Sequence, residues 1–292
     1  MVTIVIPILR FNEFSETVIS ELGKTTKTYD NLHFLFAVSD NDVSKRLNSY
    51  LSNCKLSFEI YIANNYSSNF LRSIGRFAKT EYVFYQDCDD YANYDLINDF
   101  TKHITNHDCV YCFNVTKHIY AQNGTIIKSL DIFTLKSQNI SDIKLLPTCV
   151  YSKFIPTKFL KLIDFPNLPY SQDWAISYQL FILAKHFYIN QSAYIYNNYP
   201  TSSSQKKKST LYGTKRVNAY FLSIYRALKN AGKKYEADFL RFRYNILLHE
   251  RYKVLNINYI DTHLSWRLLF YNFTMHNFSS VLYNYFKILF NF

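Results

Sequence analysis

Glycine and proline are scarce, with 5 and 6 in 292 residues, which excludes a collagen-like or loop-dominated chain. Charged residues make up only 19% and hydrophobic residues 48%, so the composition is that of a folded core and not of a disordered chain. No apolar run approaches the ~20 residues that a membrane span requires. The apolar stretch Val2–Leu9 lacks a basic region before it and a small-residue cleavage site after it, so it does not read as a secretion signal. The five cysteines, Cys54, Cys88, Cys109, Cys112 and Cys149, are odd in number, as expected for reduced thiols in a cytoplasmic protein. Cys109 and Cys112 have the spacing of a zinc or redox pair, but their setting reads as a strand. Positions i and i+3 of a strand point to opposite faces, so the two sulfurs cannot grip one ion. His103, His107 and His118 have no chelating spacing, and there is no internal repeat.

Aromatic residues are plentiful, at 27 Tyr and 25 Phe, and the net charge is +11. That charge is unevenly placed. Residues 1–205 carry 18 basic and 18 acidic groups, whereas residues 206–292 carry 15 and 4. A concentrated positive field seeks an anionic surface, such as acidic lipid or nucleic acid. No nucleic-acid recognition motif accompanies it.

The first 90 residues alternate between two periodicities. Val2–Ile8, His33–Val38, Phe58–Ala63 and Glu81–Gln86 are short apolar runs, as buried parallel strands are. Between them Glu13–Gly23, Asp42–Cys54 and Asn69–Ala78 have helical spacing. This order predicts an α/β chain with a mostly parallel, doubly wound sheet. Ligands of such sheets bind beyond the carboxyl ends of the strands. Polar clusters fall at three of those ends: Arg10–Asn12, Ser39–Asp42 and Asp87–Asp90. Further on, Cys109–Lys117 and Gly124–Leu130 read as a hairpin turning at Asn123-Gly124. Ser171–Lys185 reads as a helix capped by Ser171, and Tyr188–Tyr196 as a strand. The polar stretch Thr201–Lys208 marks a boundary between a domain of residues 1–205 and a helical extension of residues 206–292. Val217, Phe221, Tyr225 and Leu228 recur in that extension at helical spacing, with aromatic residues and basic groups alongside. Such a helix suits a membrane interface, packing on the first domain, or a dimer contact.

Asp87-Cys88-Asp89-Asp90 puts three carboxylates just past a strand, a ligand type suited to Mg²⁺ or Mn²⁺ shared with phosphates. The order of features is specific. Pro7 ends the first strand, Asp40 follows the second, and Arg72-Ser73-Ile74-Gly75 precedes the strand that leads into Asp87–Asp90. Gln172-Asp173-Trp174 opens a later helix. Over residues 1–205 this resembles the inverting family 2 glycosyltransferases of the GT-A fold, of the bacterial surface-polysaccharide type.

The resemblance implies a Rossmann-like GT-A domain that binds a nucleotide-sugar donor, a UDP-sugar, with Mn²⁺ or Mg²⁺. Pro7, Ile8 and Phe11 would frame the base and ribose, and Asp40 would contact the base. Arg72, Asp87 and Cys88 would complete the nucleotide site, and Asp89 would ligate the metal. Asp173 would be the general base, and Trp174 would stack on an acceptor glycan or lipid-linked glycan, unless it belongs to the core. The expected enzyme is a hexosyl- or N-acetylhexosaminyltransferase, cytoplasmic or peripheral on the inner face of the membrane. This chain departs from the pattern in five places. Its turn after the first strand is longer, Ser39 and Gln172 stand where acidic residues are common, Ser73 replaces a common Asn, and Tyr196–Ser202 lacks a His. These departures leave a second reading, a degenerate domain that binds nucleotide or glycan without turnover.

Overall fold

The computed structural model describes residues 1–131, 139–140, 149–168, 172–200, 211–234 and 237. The chain divides into two compact units. The first comprises Met1–Ser141, Pro147–Asn167 and Gln172–Lys206, and the second Asp142–Leu146, Leu168–Ser171 and Lys207–Phe292.

The first unit opens with alternating strands and helices: β1 (Val2–Ile8), α1 (Glu13–Gly23), β2 (Leu32–Val38), α2 (Asn41–Leu51), β3 (Phe58–Ile62), α3 (Ser68–Ser73) and β4 (Tyr82–Tyr85). A 3₁₀ turn, Ile74–Phe77, takes over the end of the expected third helix. The remaining elements are β5 (Tyr91–Ala92), α4 (Tyr94–Phe100), β6 (Cys109–Tyr120), β7 (Ile126–Asp131), β8 (Asn139–Ile140), β9 (Lys153–Pro156), α5 (Thr157–Leu160), α6 (Gln172–Leu183) and β10 (Lys185–Asn198). In the second unit α7 (Leu211–Asn230) is helical, as expected for the extension. Ser171, residues 201–208 and residues 238–292 lie outside the described residues.

The strands order as β3-β2-β1-β4-β9-β6-β10-β5, with β7 beside β6 and β8 beside β10. Pairing is parallel through β3-β2-β1-β4, then antiparallel on both sides of β9. The parallel half is the doubly wound part, and the rest is mixed. Every residue of β1 is buried, which is why it reads as an unbroken apolar run. The core runs from Ile4, Ile6, Phe34 and Phe36 through Phe84 to Phe113 and Phe154. Cys109 and Cys112 are both buried within β6, one on each covered face, and all five cysteines are unbridged.

The polar clusters at the strand ends begin the helices that follow. Asn12 caps α1 in a reciprocal box with Ser15, and Asp40 caps α2. Ser67 caps α3 and Asn93 caps α4. Each such cap contributes about 1 kcal/mol by satisfying an otherwise unpaired backbone N–H.

Candidate functional site

The acidic loop after β4 divides its carboxylates between two tasks. Asp90 is buried and holds the loop in place. Its Oδ2 accepts from Tyr194 Oη at 2.8 Å, and its Oδ1 from the Asn197 backbone N–H at 2.7 Å. Tyr194 Oη also accepts from the Asp87 N–H at 3.0 Å, and Asn197 Nδ2 donates to the Asp89 carbonyl at 2.8 Å. Gln86, itself held by Tyr94, donates to the Asp90 carbonyl at 2.9 Å. Burial, then the charges of Asp89 and Asp87, push the Asp90 carboxyl well above the usual range. Burial also lifts the Cys88 thiol, with Asp89 adding to it, so Cys88 is an inert, uncharged neighbour.

Asp87 faces Arg72. The guanidinium is 7% exposed and bridges two carboxylates: Nη2 donates to Asp87 Oδ1 and Nη1 to Asp173 Oδ1, each at 2.8 Å. Burial opposes its charge, but Asp173 and Asp87 outweigh that and raise its pKa. One side chain thus ties the loop after β4 to the first turn of α6, 101 residues from Arg72. The Asp173 carboxyl is raised, because burial outweighs the Arg72 charge. The Val150 N–H also donates to it. Lys153, buried in β9, donates to the Cys149 carbonyl and lies 3.5 Å from Ser177 Oγ, one helical turn after Asp173. Its charge acts on Asp173 in the same sense as that of Arg72.

Asp89 is half-buried, and among the described residues no cation lies within ion-pair distance of it. Burial, then Asp87, push its carboxyl up to about 6. A carboxylate in that setting suits a hard divalent cation. Mg²⁺ commonly takes only one or two protein carboxylates and completes its shell with phosphates and water. Among the described residues, no group of three or more His, Cys, Asp or Glu could hold a metal by itself.

At the carboxyl ends of β1, β2 and β3 lies an open pocket of about 670 Å³. It is lined by Leu9, Arg10, Asp40, Val43, Asn64 and Tyr66, with Asn41 and Asp42. Asp40 therefore stands where the sequence puts it. Its carboxyl is held below the usual range by the Val43 N–H and then by Ser39. Pro7 and Ile8 are buried in β1 and do not line this pocket, whereas the next two residues do. Phe11 packs on Tyr50, with the Arg46 guanidinium 5.3 Å from its ring. Trp174 is half-buried and meets Tyr178 edge-on at 6.0 Å. Tyr194, Asn197 and Lys153 had no signal in the sequence beyond being polar or aromatic. Arg10 had one, as part of a polar cluster at the carboxyl end of the first strand, and Asn64 and Tyr66 follow the carboxyl end of the third.

A parallel β3-β2-β1-β4 half, a mixed second half in which β9 runs antiparallel to both its neighbours while β6 and β10 pair in parallel, and an acidic loop after β4 define a GT-A fold. Solved structures of similar shape agree. S. aureus TarS 1-349 in complex with UDP-GlcNAc superimposes with a TM-score of 0.59 at 14% identity, over 88% of this chain and 74% of that one. The same protein in complex with UDP gives 0.53 at 16% identity, over 85% and 71%. Against S. aureus TarS the score is 0.54 at 14% identity, and 88% of this chain corresponds to 53% of that one. At these identities the likeness establishes the fold. No protein-family model and no curated protein matches the chain.

Proposed function

We propose that the chain is an inverting glycosyltransferase. It moves a sugar, a hexose or an N-acetylhexosamine, from a UDP-sugar to a hydroxyl of a glycan or lipid-linked glycan in surface-polysaccharide assembly. The observation that carries this reading is the Arg72 bridge, which sets Asp173 beside the acidic loop at the end of the sheet where the pocket opens. The TarS structures in complex with UDP-GlcNAc and UDP share this fold and support the donor class.

In this reading Asp40 accepts an N–H of the nucleobase, and Arg72 and Asp87 flank the ribose and phosphates. Asp173 takes the proton of the acceptor hydroxyl as its oxygen attacks the anomeric carbon. The bond from that carbon to the phosphate oxygen breaks on the opposite face, and the nucleoside diphosphate leaves with the electron pair. Asp89 would hold Mn²⁺ or Mg²⁺, whose charge stabilises the departing diphosphate. Arg72 keeps the Asp173 carboxylate oriented, and burial raises its affinity for a proton above that of an ordinary carboxylate.

Thermal unfolding with a panel of nucleoside diphosphates, with and without Mn²⁺, tests this. Ligand at ~100 times Kd stabilises the folded state by about 2.7 kcal/mol. UDP is expected to raise the midpoint in the presence of Mn²⁺, and Asp89→Ala to abolish the metal dependence. A folded protein that responds to no nucleotide would overturn the reading. The second reading is a nucleotide-binding domain without turnover, favoured by the engagement of Asp173 Oδ1 with Arg72. Hydrolysis of the UDP-sugar in Mn²⁺ separates the two, since the silent domain binds donor but does not consume it.

A further inference from the structure

The pocket at the ends of β1–β3 fills one of its own acceptors. Asp40 Oδ1 accepts from the Asp42 and Val43 N–H groups, both at 2.9 Å. These bonds cap α2 and are part of the fold. Oδ2 is left to meet a ligand. Ser39 Oγ lies 2.9 Å from it and 2.7 Å from the Leu9 carbonyl, and its single proton serves one or the other. Ser39 is fully buried, so it reaches Oδ2 from inside the protein. Tyr66 Oη donates to Oδ2 at 3.0 Å, and Tyr66 is 72% exposed, more than any other large hydrophobic side chain among the described residues. Tyr66 therefore occupies the pocket side of that oxygen.

Tyr66 is held by little else. An aromatic ring so exposed gains almost nothing from burial. The backbone around it is fixed independently. The Asn65 N–H donates to the Ser39 carbonyl at 3.1 Å, and Ser67 caps α3. Asn64, at φ 49°, makes the turn in the left-handed region that Asn tolerates. The tyrosine side chain can thus swing by a rotamer change without moving the loop.

We propose that Tyr66 gates the nucleobase pocket. Its hydroxyl holds Asp40 Oδ2 in the absence of donor, and a base carrying an N–H displaces it. This rests on the reading of Asp40 as the acceptor for the base. Binding exchanges one hydrogen bond to the carboxylate for another, so Tyr66 weakens nucleotide affinity and sharpens the demand for a base that can donate.

The sign of one substitution tests it. Calorimetric titration of UDP in Mn²⁺ is expected to show Tyr66→Phe binding about three- to tenfold tighter than the parent, since the competing donor is gone. UDP methylated at N3 of uracil, which cannot donate to Asp40, is expected to show no such gain. Equal or weaker UDP binding by Tyr66→Phe overturns the gate while leaving the donor site standing. A gain of the same size with the methylated nucleotide also overturns it. Failure of the parent chain to bind UDP at all overturns the donor reading, and the gate with it.

Discussion

Arg72 and Asp173 are the residues on which the proposed chemistry turns. A guanidinium presents a planar fork of donors that a lysine cannot replace, and Arg72 uses two prongs on two different carboxylates. Breaking a buried pair by removing one partner can leave a charge without compensation, but Arg72 keeps Asp87 as its counter-ion when Asp173 is neutralised. Asp173→Asn retains an oxygen for Arg72 Nη1 but removes the base. Turnover is expected to fall by about 10²–10⁴-fold with the fold retained, as seen by steady-state rates beside circular dichroism. The pH profile belongs to the same prediction. The Asp173 carboxyl is raised by burial, so the rate should climb with pH along a limb above the ordinary carboxylate value of ~3.9, and Asp173→Asn should lose that limb. Stability responds in the opposite sense. A raised carboxyl binds its proton more tightly when folded, so this group's contribution is present at low pH and is lost as pH rises through its folded value. Full activity in Asp173→Asn would remove it as the base.

At the scale of elements, the site depends on how the turn after α3 meets β4. Tyr85 Oη donates to the Arg72 carbonyl at 2.8 Å, which fixes the backbone that carries the guanidinium. Gly75 lies against that phenol: a Cβ there would sit 2.6 Å from Tyr85 Oη and 3.2 Å from its Cζ. Glycine to alanine in a helical turn normally stabilises by about 0.5–1 kcal/mol. Here overpacking wins, and Gly75→Ala is expected to cost about 1–3 kcal/mol by urea denaturation and to slow turnover by shifting Arg72. A stabilised variant would show that the phenol gives way freely. β1, β2 and β4 and their terminal clusters were legible in the sequence because strands covered on both faces are unbroken apolar runs that end abruptly in polar residues. β9 was not, since Lys153 and Pro156 are the residue types that argue against a buried strand. Nor were Tyr194 and Asn197, whose partners lie 104 and 107 residues away and are set by the order of strands, not by local spacing.

At the scale of the whole molecule, charge and chemistry separate. The groups of the candidate site all lie in the first unit. Residues 1–205 balance 18 basic against 18 acidic groups. Residues 206–292 hold the entire excess, 15 basic against 4 acidic. Among the described residues no helix is long and apolar enough to cross a membrane. In α7, Phe221, Ile224 and Leu228 are buried, a single helical stripe, while Lys229 stands near the Tyr225 ring. A basic, aromatic-rich segment attached to a neutral domain is suited to hold that domain at an anionic surface, at about 1 kcal/mol for each Lys or Arg near the surface. The proposal that residues 206–292 do this predicts co-sedimentation with vesicles containing phosphatidylserine at low ionic strength. Binding should be lost on purely zwitterionic vesicles and at about 1 M salt, where the screening length falls to about 3 Å. Sedimentation indifferent to both lipid charge and salt would instead assign the segment to packing or to a contact between two copies of the chain, and would leave the acceptor to be found in solution.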